Sequence, residues 1–221
     1  MNTTDKKFGT PAMGKLVVVR HHESEWNKLG LWTGVTDVKL TDYGAEKARE
    51  MGQAIKDICI DAAYTSRQIR SVQTLVNMMP SCTVADIPIR AVTALNERDY
   101  GDYTGKNKWE IEKQVGKEEF TRIRRGWNHP IPNGETLEMV YNRAVPFFTE
   151  TIVPELKTGK NILVVAHGNS IRALMKYIEN IPTDRISSIN MEFGEIIIYE
   201  LDGTGHLVHK EVRKVRSDVH A

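Results

Sequence analysis

Two histidines in this chain stand where a phosphate could be bound and transferred. His21 follows the apolar stretch "LVVV" and an arginine, and His167 directly follows "ILVVA". Such β-branched runs, bounded by polar residues, are typical of strands buried on both faces. Arg20 adjoins the first histidine, and Arg70 lies early in a helix-like segment after "AYTS". Guanidinium groups match the oxygens of a phosphate, and oriented donors stabilise the charge that develops in a transition state.

If the two imidazoles meet in one crevice, they can do more than bind an anion. A neutral imidazole is a competent nucleophile towards phosphorus, and a protonated one donates to phosphoryl oxygens. The pair would then need different protonation states at one pH, which separate environments can impose. Either histidine taken alone is more simply read as a core or surface residue. The convergence of His21 and His167 at two strand ends, beside Arg20, favours the phosphate site.

The surrounding sequence predicts the elements that would bring these residues together. Apolar strand-like segments alternate with segments of helical periodicity, and two apolar segments flank the turn "DGTG". This alternation predicts a three-layer α/β/α sandwich with a mostly parallel central sheet, closed by a hairpin. In such sheets ligands bind beyond the carboxyl ends of strands, where the strand order reverses. Pro88 predicts an edge strand over 84–91, and Pro146 predicts a kink in a long helix.

Length and composition limit the classes of protein that fit. The chain has 221 residues, 40% of them hydrophobic, and a formal net charge of +1. We therefore expect one catalytic domain over residues 15–213, a mobile N-terminal arm over 1–14 and a tail over 214–221. A net charge near zero argues against nucleic acid or an acidic membrane as partner. Two isolated cysteines and no apolar leader predict a cytoplasmic protein.

Several segments then resemble one known family. "LVVVRHHESEWNKLGLWTG" is similar to the R-H-G-E-S-x-W-N segment of cofactor-dependent phosphoglycerate mutases, which belong to the histidine phosphatase superfamily. "LNERDYGDYTGKNKWE", "RRGW", "PNGETL" and "VVAHGNSIRALMKY" resemble further segments of that family, in the same order. The likeness runs from about residue 15 to residue 212. The patterns H-G-N-S-x-R-A-L and N-E-R-x-Y-G are specific to the mutases, whereas R-H-x-E alone marks only the superfamily.

The resemblance implies a reaction and its reagents. It implies a glycolytic and gluconeogenic isomerase that interconverts 3-phosphoglycerate and 2-phosphoglycerate through a phosphohistidine, primed by 2,3-bisphosphoglycerate. Small phosphoglycerates would be its partners, and a homodimer is one assembly that the sequence allows. We predict no metal, because adjacent histidines in extended chain point in opposite directions and no carboxylate or cysteine cluster completes a coordination shell. The tail over 214–221 could act as a lid that excludes water.

The resemblance also implies a role for each matching residue. His21 would be the phosphorylated nucleophile, and Glu97 the acid and base for the substrate hydroxyl. The transferred phosphoryl group would be surrounded by Arg20, Arg70, His167, Gly168 and Asn169, with hydrogen bonds from Ser24 and Asn27. The carboxylate and second phosphate of the glycerate would be held by Thr33, Gly34, Tyr100, Lys108, Arg124 and Arg125.

The sequence departs from the family pattern at His22, where the family has glycine. We expect His22 to have ordinary extended dihedrals and to point away from the phosphate, into the loop around Trp26 or Trp32. The segment "GWNHPIPNGETL" is a short form of a longer family insertion. Asp99 replaces a common histidine and is expected to face outward.

Alternative interpretations remain open at this stage. Water could take the phosphoryl group from His21, which would make the protein a phosphatase of small phosphate esters. A binding protein that kept the fold, with His22 blocking the pocket, would have no activity. Glu97 could simply pair with Arg98, and the arginines over 122–125 could be a solvated helix face. Trp26 and Trp32 are expected to pack around the loop.

Overall fold

The centre of the molecule is a single six-stranded sheet. The computed structural model describes residues 13–82 and 86–217, and the sheet within these ranges has the spatial order β3, β2, β4, β1, β5, β6. Neighbours among β1 to β4 run parallel, while β5 runs antiparallel to β1 and to β6. The prediction of a mostly parallel sheet with a closing hairpin is therefore confirmed. The strands are β1 Leu16–Arg20, β2 Ala62–Thr65, β3 Ile89–Ala91, β4 Ile162–Ala166, β5 Glu195–Leu201 and β6 Leu207–Lys214.

Strands β1 and β4 are adjacent, and this adjacency places both histidines at one sheet edge. Arg20 pairs with Ala166 in the parallel register, and the backbone N–H of His21 donates to the Ala166 carbonyl at 2.9 Å. Both strands are buried on both faces, apart from the half-buried Arg20 at the end of β1. Their β-branched residues suit such a position, because they pack well on a pleated surface.

Helices cover the two faces of the sheet and give the three-layer sandwich. One face of β1 and β4, through Val17 and Val165, packs on α2 and α3, and the other, through Val18 and Val164, packs on α6 and α8. The helices are α1 Glu25–Lys28, α2 Asp42–Gln53, α3 Ile69–Cys82, α4 Lys108–Val115, α5 Lys117–Arg125, α6 Leu137–Phe147, α7 Val153–Lys157 and α8 Gly168–Ile178. None of these helices, within the described ranges, has the length and apolar character needed to cross a membrane.

A third apolar cluster supports a cap formed by the loops after β1 and β3 together with α4 and α5. Trp32 is its centre: it is 1% exposed and its ring lies 4.5 Å from that of Tyr100 and 5.8 Å from that of Phe120. The expectation that Trp32 packs the loop is confirmed. The cluster keeps α4 and α5 close to the carboxyl ends of the strands.

Helix α2 touches the backbone that follows β1 without a side chain between them. A Cβ atom built on Gly44 would lie 2.2 Å from the Glu23 carbonyl oxygen, far inside any real contact. Thr41 caps this helix by accepting from the Gly44 N–H at 3.0 Å and also donates to Glu23 Oε1 at 2.8 Å. The first turn of α2 is therefore in contact with Glu23, which lies two residues after His21.

Some details of the fold differ from the sequence predictions, and others lie outside the described residues. The chain after Pro146 continues as a π-helical stretch, Phe148–Ile152, because proline offers no N–H to the regular α-helical ladder. The predicted strand over 84–91 is observed as the short edge strand β3, which begins directly after Pro88, and residues 83–85 lie outside the described ranges. Of the predicted N-terminal arm, residues 1–12 lie outside the described ranges. Of the predicted tail, Lys214 ends β6 and Val215 is buried, while residues 218–221 lie outside the described ranges. The proposed lid therefore stays a prediction.

Candidate active site

The two strand-end histidines meet. The rings of His21 and His167 have their centroids 4.9 Å apart with an angle of 59° between their planes. His21 is 3% exposed and His167 is fully buried. His21 lines a cleft that opens to solvent, whereas His167 is absent from the lining and contacts the His21 ring. The convergence predicted from the sequence is therefore present.

The hydrogen bonds of His21 determine which of its nitrogens can react. Its Nδ1 lies 2.6 Å from the His22 carbonyl oxygen, which can only accept, so Nδ1 carries the proton. The Nε2 atom is then unprotonated in the neutral ring, and Arg70 Nε donates to it at 3.3 Å. Burial, followed by the charges of Arg70 and Arg20, holds the pKa of His21 well below its ordinary value. Nε2 is thus the unprotonated nitrogen of a neutral ring, and in the unligated site its lone pair accepts the hydrogen bond from Arg70.

His167 is also held neutral by its surroundings. Its Nε2 is 2.7 Å from Ser66 Oγ, and its Nδ1 has no hydrogen-bond partner. Burial, then the charges of Arg70, His21 and Arg20, hold the pKa of His167 well below its ordinary value. The different protonation states that a nucleophile and a donor would need are therefore not a property of the unligated site, where the pKa values of both rings are lowered. A dianion against the ring would favour the charged form, so the difference in protonation would come with the ligand.

Two arginines line the cleft beside the nucleophile, each anchored by backbone carbonyl groups. Arg70 donates from Nη1 to Thr36 O at 2.9 Å and from Nη2 to Gly34 O at 2.8 Å. Arg20 donates from Nη1 to Met191 O at 2.9 Å, and its Nε has no partner. Burial lowers the pKa of each guanidinium to about 10, so both stay charged near neutral pH.

Glu97 lines the same cleft as His21 and lies near Arg20, Arg70 and Lys108. It is 8% exposed, and its Oε1 accepts from the backbone N–H groups of Arg98 at 2.7 Å and Asn169 at 3.2 Å. A Cβ atom built on Gly168 would lie 3.7 Å from Glu97 Oε2 and 3.8 Å from Arg20 Nε. Oε2 therefore lies near Arg20, at the start of α8. The alternative that Glu97 pairs with the Arg98 side chain is wrong, because that guanidinium donates to the Ile123 and Arg124 carbonyls.

The N-terminus of α8 completes this wall of the cleft. Gly168 and Asn169 line it, and Asn169 Nδ2 donates to the Tyr100 hydroxyl at 2.8 Å. Arg172, 2% exposed, donates to Asn169 Oδ1 at 2.9 Å and so determines which way the amide points. Arg172 also donates to the carbonyls of Ile186 and Ile189 and of Arg125. Burial lowers its pKa to about 9.

The cationic end of the cleft is formed by Lys108, Arg124 and Arg125, which line the cleft and lie close to one another. Lys108 begins α4 and is half-buried, and burial followed by the charges of Arg124 and Arg20 lowers its pKa to about 8. Arg125 is held by Asn190 Oδ1 at 2.8 Å, and burial lowers its pKa as well. Arg122 points to the other side of α5, where it pairs with Glu118 and Glu119. The arginines of α5 therefore differ: Arg122 is solvated, whereas Arg124 and Arg125 line the cleft. The residues predicted to hold the glycerate all line the cleft, namely Thr33, Gly34, Tyr100, Lys108, Arg124 and Arg125.

Ser24 and Asn27 were both predicted to lie beside the phosphoryl group, but of the two only Asn27 lines the cleft. Ser24 is fully buried, caps α1 and exchanges hydrogen bonds with Asn27, donating from Oγ to Asn27 Oδ1 at 2.8 Å. Asn27 lines the cleft, with its Oδ1 engaged in this way. Ser24 is absent from the cleft lining, so in this geometry it acts on the site by orienting Asn27.

His22 points away from the phosphate side but not to the predicted neighbours. Its ring is fully buried and lies 5.5 Å from that of Tyr43 and 5.2 Å from that of Phe193. Trp26 and Trp32 are not its partners, and that part of the prediction is wrong. The reason is that α2 and the chain before β5 converge behind β1 and enclose the ring. Among the described residues, positive φ at non-glycine positions occurs at Asn133 and Asn180, so His22 carries no such strain.

Sequence reasoning missed several residues that position the site. Ser66 bonds His167, Gln68 Oε1 accepts from the Glu97 N–H, and Arg143 donates to Glu97 O at 3.1 Å. Arg172 lies within the segment "HGNSIRAL", but the family resemblance implies no role for it, and Asn190 lines the cleft without belonging to any of the matching segments. An arginine on the apolar face of a helix is the one signal that could have identified Arg172. Asp99 is half-buried, accepts from the Gly101 N–H and does not line the cleft.

Residues 16–212 match the family model described as histidine phosphatase superfamily, branch 1. This chain belongs to the histidine phosphatase superfamily. Within this superfamily it is 42% identical over 199 residues to a protein of Parvibaculum lavamentivorans named 2,3-bisphosphoglycerate-dependent phosphoglycerate mutase, covering 89% of this chain and 95% of the relative. A protein of Cytophaga hutchinsonii with the same name is 42% identical over 185 residues, covering 84% and 86%.

A solved structure gives the same superfamily fold. Bacillus stearothermophilus YhfR superposes with a TM-score of 0.76 at 27% sequence identity, over 88% of this chain and 98% of that one. The superfamily fold thus extends over most of this chain, and the matched residues of the family model, 16–212, include both histidines.

Proposed function

We propose that this chain is a 2,3-bisphosphoglycerate-dependent phosphoglycerate mutase that interconverts 3-phosphoglycerate and 2-phosphoglycerate. One observation carries the proposal: a single cleft is lined by His21, by the carboxylate of Glu97 and by the cations Lys108, Arg124 and Arg125. A phosphatase needs the nucleophile, but a mutase also needs a second anion-binding end and a carboxyl group that serves the substrate hydroxyl. The relatives of 42% identity carry the mutase name, which supports the same function.

The charges of Lys108, Arg124 and Arg125, at the cationic end of the cleft, fit a monophosphoglycerate. Such a substrate carries about three negative charges near neutral pH, counting its carboxylate and its phosphate. Lys108, Arg124 and Arg125 supply three positive charges there. With these groups holding one end of the substrate, its free hydroxyl would lie towards Glu97 and His21.

The chain's own residues can then transfer the phosphoryl group. Phosphorylated His21 passes the group to the free hydroxyl: the bond from phosphorus to Nε2 breaks, and a bond from phosphorus to oxygen forms. Glu97 takes the hydroxyl proton. In the second transfer Nε2 attacks the phosphoryl group on the other carbon, and Glu97 returns the proton to the oxygen that leaves. Arg20 and Arg70 stabilise the charge on the moving phosphoryl oxygens throughout.

The residues present fit 2,3-bisphosphoglycerate as primer. One phosphate would lie against Arg20 and Arg70, and the other against Lys108, Arg124 and Arg125. Buried donors without partners, Arg20 Nε and Thr33 Oγ1, belong to this cleft and are available to anionic oxygens. When bound, the group supplies the phosphoryl that first loads His21. We also propose a role in glycolysis and gluconeogenesis and a cytoplasmic location; the homodimer stays a prediction.

A coupled assay tests the proposal. The purified chain, primed with 2,3-bisphosphoglycerate, should convert 3-phosphoglycerate to 2-phosphoglycerate without accumulating free phosphate. His21→Ala should abolish the conversion, whereas His209→Ala, at an exposed strand position, should retain it. Release of phosphate without isomerised product would identify a phosphatase instead.

A second measurement addresses the non-catalytic alternative. Incubation with 2,3-bisphosphoglycerate should leave an acid-labile phosphohistidine on His21, detectable by mass spectrometry under alkaline conditions. If neither a phosphohistidine nor turnover is found in folded protein, the chain is a binding protein and the proposal is overturned.

A further inference from the structure

The ring of Phe193 forms a floor under Arg20. The Arg20 guanidinium carbon lies 4.1 Å from the centroid of the Phe193 ring. The same guanidinium donates from Nη1 to the carbonyl of Met191, two residues earlier in the chain, at 2.9 Å. One short segment therefore contacts the cation both through an aromatic face and through a backbone acceptor. Phe193 is 2% exposed, so this contact is shielded from water.

His22 supports Phe193 from a second direction. The centroids of the His22 and Phe193 rings are 5.2 Å apart, and His22 is fully buried. Neither ring nitrogen of His22 has a hydrogen-bond partner. The imidazole is thus used as an apolar aromatic surface. Tyr43, at 5.5 Å, lies against the same ring.

The Phe193 ring also lies near His21 and leaves the Nε atom of Arg20 free. The Phe193 centroid is 6.3 Å from that of His21. Arg20 Nε has no partner and lies near Gly168, where a built Cβ atom would be 3.8 Å from it and 3.7 Å from Glu97 Oε2. The contacts to Phe193 and Met191 therefore hold one side of the guanidinium while Nε remains towards the space shared with Glu97.

We propose that Phe193, supported by His22, is a positioning platform that holds the Arg20 guanidinium in the orientation in which it binds the transferred phosphoryl group. The proposal deepens the proposed function, since it rests on Arg20 as a phosphate ligand. It also gives His22 a role: the side chain at this position fills the space behind Phe193, which a glycine would leave open.

Phosphate affinity measures the effect without requiring turnover. A desolvated cation on an aromatic face gains enough free energy that Phe193→Leu should weaken binding of inorganic phosphate by roughly 3- to 30-fold. The titration compares four proteins: the wild type, Phe193→Leu, Arg20→Met and the double variant. In the Arg20→Met background, Phe193→Leu should change the affinity by less than about twofold, because the group that the ring holds is gone.

Two further variants separate positioning from general loss of packing. Phe148→Leu truncates another fully buried phenylalanine, which lies in the main core away from the cleft, and should lower stability without changing phosphate affinity. His22→Ala should weaken phosphate binding in the same direction as Phe193→Leu, whereas His22→Phe should restore it. These variants keep the proposal testable if Phe193→Leu fails to fold.

The outcomes are distinct from those that test the mutase reaction. Equal losses from Phe193→Leu in the wild-type and Arg20→Met backgrounds would overturn the platform, and so would an unchanged affinity in folded Phe193→Leu or His22→Ala. If the wild type binds phosphate, and the variants behave as expected, but no isomerised product forms, the mutase proposal fails while the platform stands. With 3-phosphoglycerate as substrate, the loss should appear in kcat rather than in KM, because the glycerate end of the cleft is unchanged.

Discussion

Arg70 Nε donates a hydrogen bond to His21 Nε2 over 3.3 Å, so a cation is aimed at the nitrogen that would attack phosphorus. The guanidinium occupies the direction from which a proton would otherwise add. Burial and this charge hold the pKa of His21 well below its ordinary value. In the proposed reaction Arg70 would therefore have two effects: it would bind phosphoryl oxygens, and it would keep the imidazole of His21 in its neutral form.

Replacing Arg70 by Met should change the pH profile as well as the rate. Neutral His21 reacts, so phosphoenzyme formation is lost as the pH falls through the pKa of His21, which lies well below 6.5 in the folded protein. Without Arg70 that pKa rises, and the acidic limb of the profile should move to higher pH. The rate at pH 7.5 should fall on the order of 100- to 1000-fold. Rapid-quench measurement of phospho-His21 from pH 5 to 8 tests both effects.

Arg67 offers the matched control for this substitution. It is exposed, precedes the same helix and does not line the cleft. Arg67→Met should leave the rate and the acidic limb where they are in the wild type. An acidic limb that does not move in Arg70→Met would contradict the assigned effect of Arg70.

Replacing Glu97 by Gln should reduce kcat with little effect on substrate binding. The amide oxygen can still accept from the backbone N–H groups of Arg98 and Asn169, so the loop should keep its shape. The proton acceptor is lost, which should lower kcat roughly 100- to 10,000-fold. Steady-state assays with 3-phosphoglycerate give kcat and KM, and the exposed Glu110→Gln serves as control. A decrease smaller than tenfold would rule out Glu97 as the acid and base.

Lys108 should make KM depend on alkaline pH. Its pKa is lowered to about 8, first by burial and then by Arg124 and Arg20, so in the free enzyme it loses its charge as the pH rises through 8. If only the charged form binds, KM for 3-phosphoglycerate should rise by about tenfold per pH unit above that value. Lys108→Arg stays charged and should flatten the dependence, whereas Lys113→Met, on an exposed part of the same helix, should reproduce the wild type.

His22 should make the protein less stable in acid. Its pKa is lowered to about 4, first by burial and then by the charges of Arg20 and Lys47. Above pH 6.5 the group is neutral in both states, and below it the unfolded chain takes up a proton that the folded chain refuses. Between pH 7 and pH 5 this difference removes roughly 2 kcal/mol of unfolding free energy. Urea midpoints of wild type and His22→Phe across this range test the effect.

The comparison needs a histidine that is not buried. His209 is exposed on β6, so His209→Gln should lose stability between pH 7 and pH 5 as the wild type does. His22→Phe should lose less than either, while His21 and His167 still contribute to the slope in all three proteins. Identical slopes in the wild type and His22→Phe would show that His22 takes up its proton equally well in both states.

The main features of the fold were predictable because their signals are local. The β-branched runs of β1 and β4 indicated strands buried on both faces, and a parallel arrangement of such strands leaves their histidines at one edge. Glycine and aspartate around 202–205 marked the turn between β5 and β6. The helix with Pro146 was harder, since proline indicates a disturbance but not that the chain will continue as a π-helical stretch.

The parts of the site that escaped prediction depend on contacts between distant segments. Arg20, Arg125 and Arg172 all donate to backbone carbonyls of residues 186–191, and a carbonyl acceptor leaves no trace in the sequence. The direction of the His22 side chain depends on Phe193, some 170 residues away, and on Tyr43. The residue types indicated which charged side chains would line the site, whereas contacts between distant segments determine the orientation of each side chain.

The bare contact between Gly44 and the Glu23 carbonyl limits how this protein can be re-engineered. At that distance even a methyl group must push the first turn of α2 outwards or the chain behind the nucleophile inwards. Libraries that vary the surface of α2 can therefore include its outward positions but should leave position 44 as glycine. For the same reason, a tether or a fused domain is better attached at an outward position of α2.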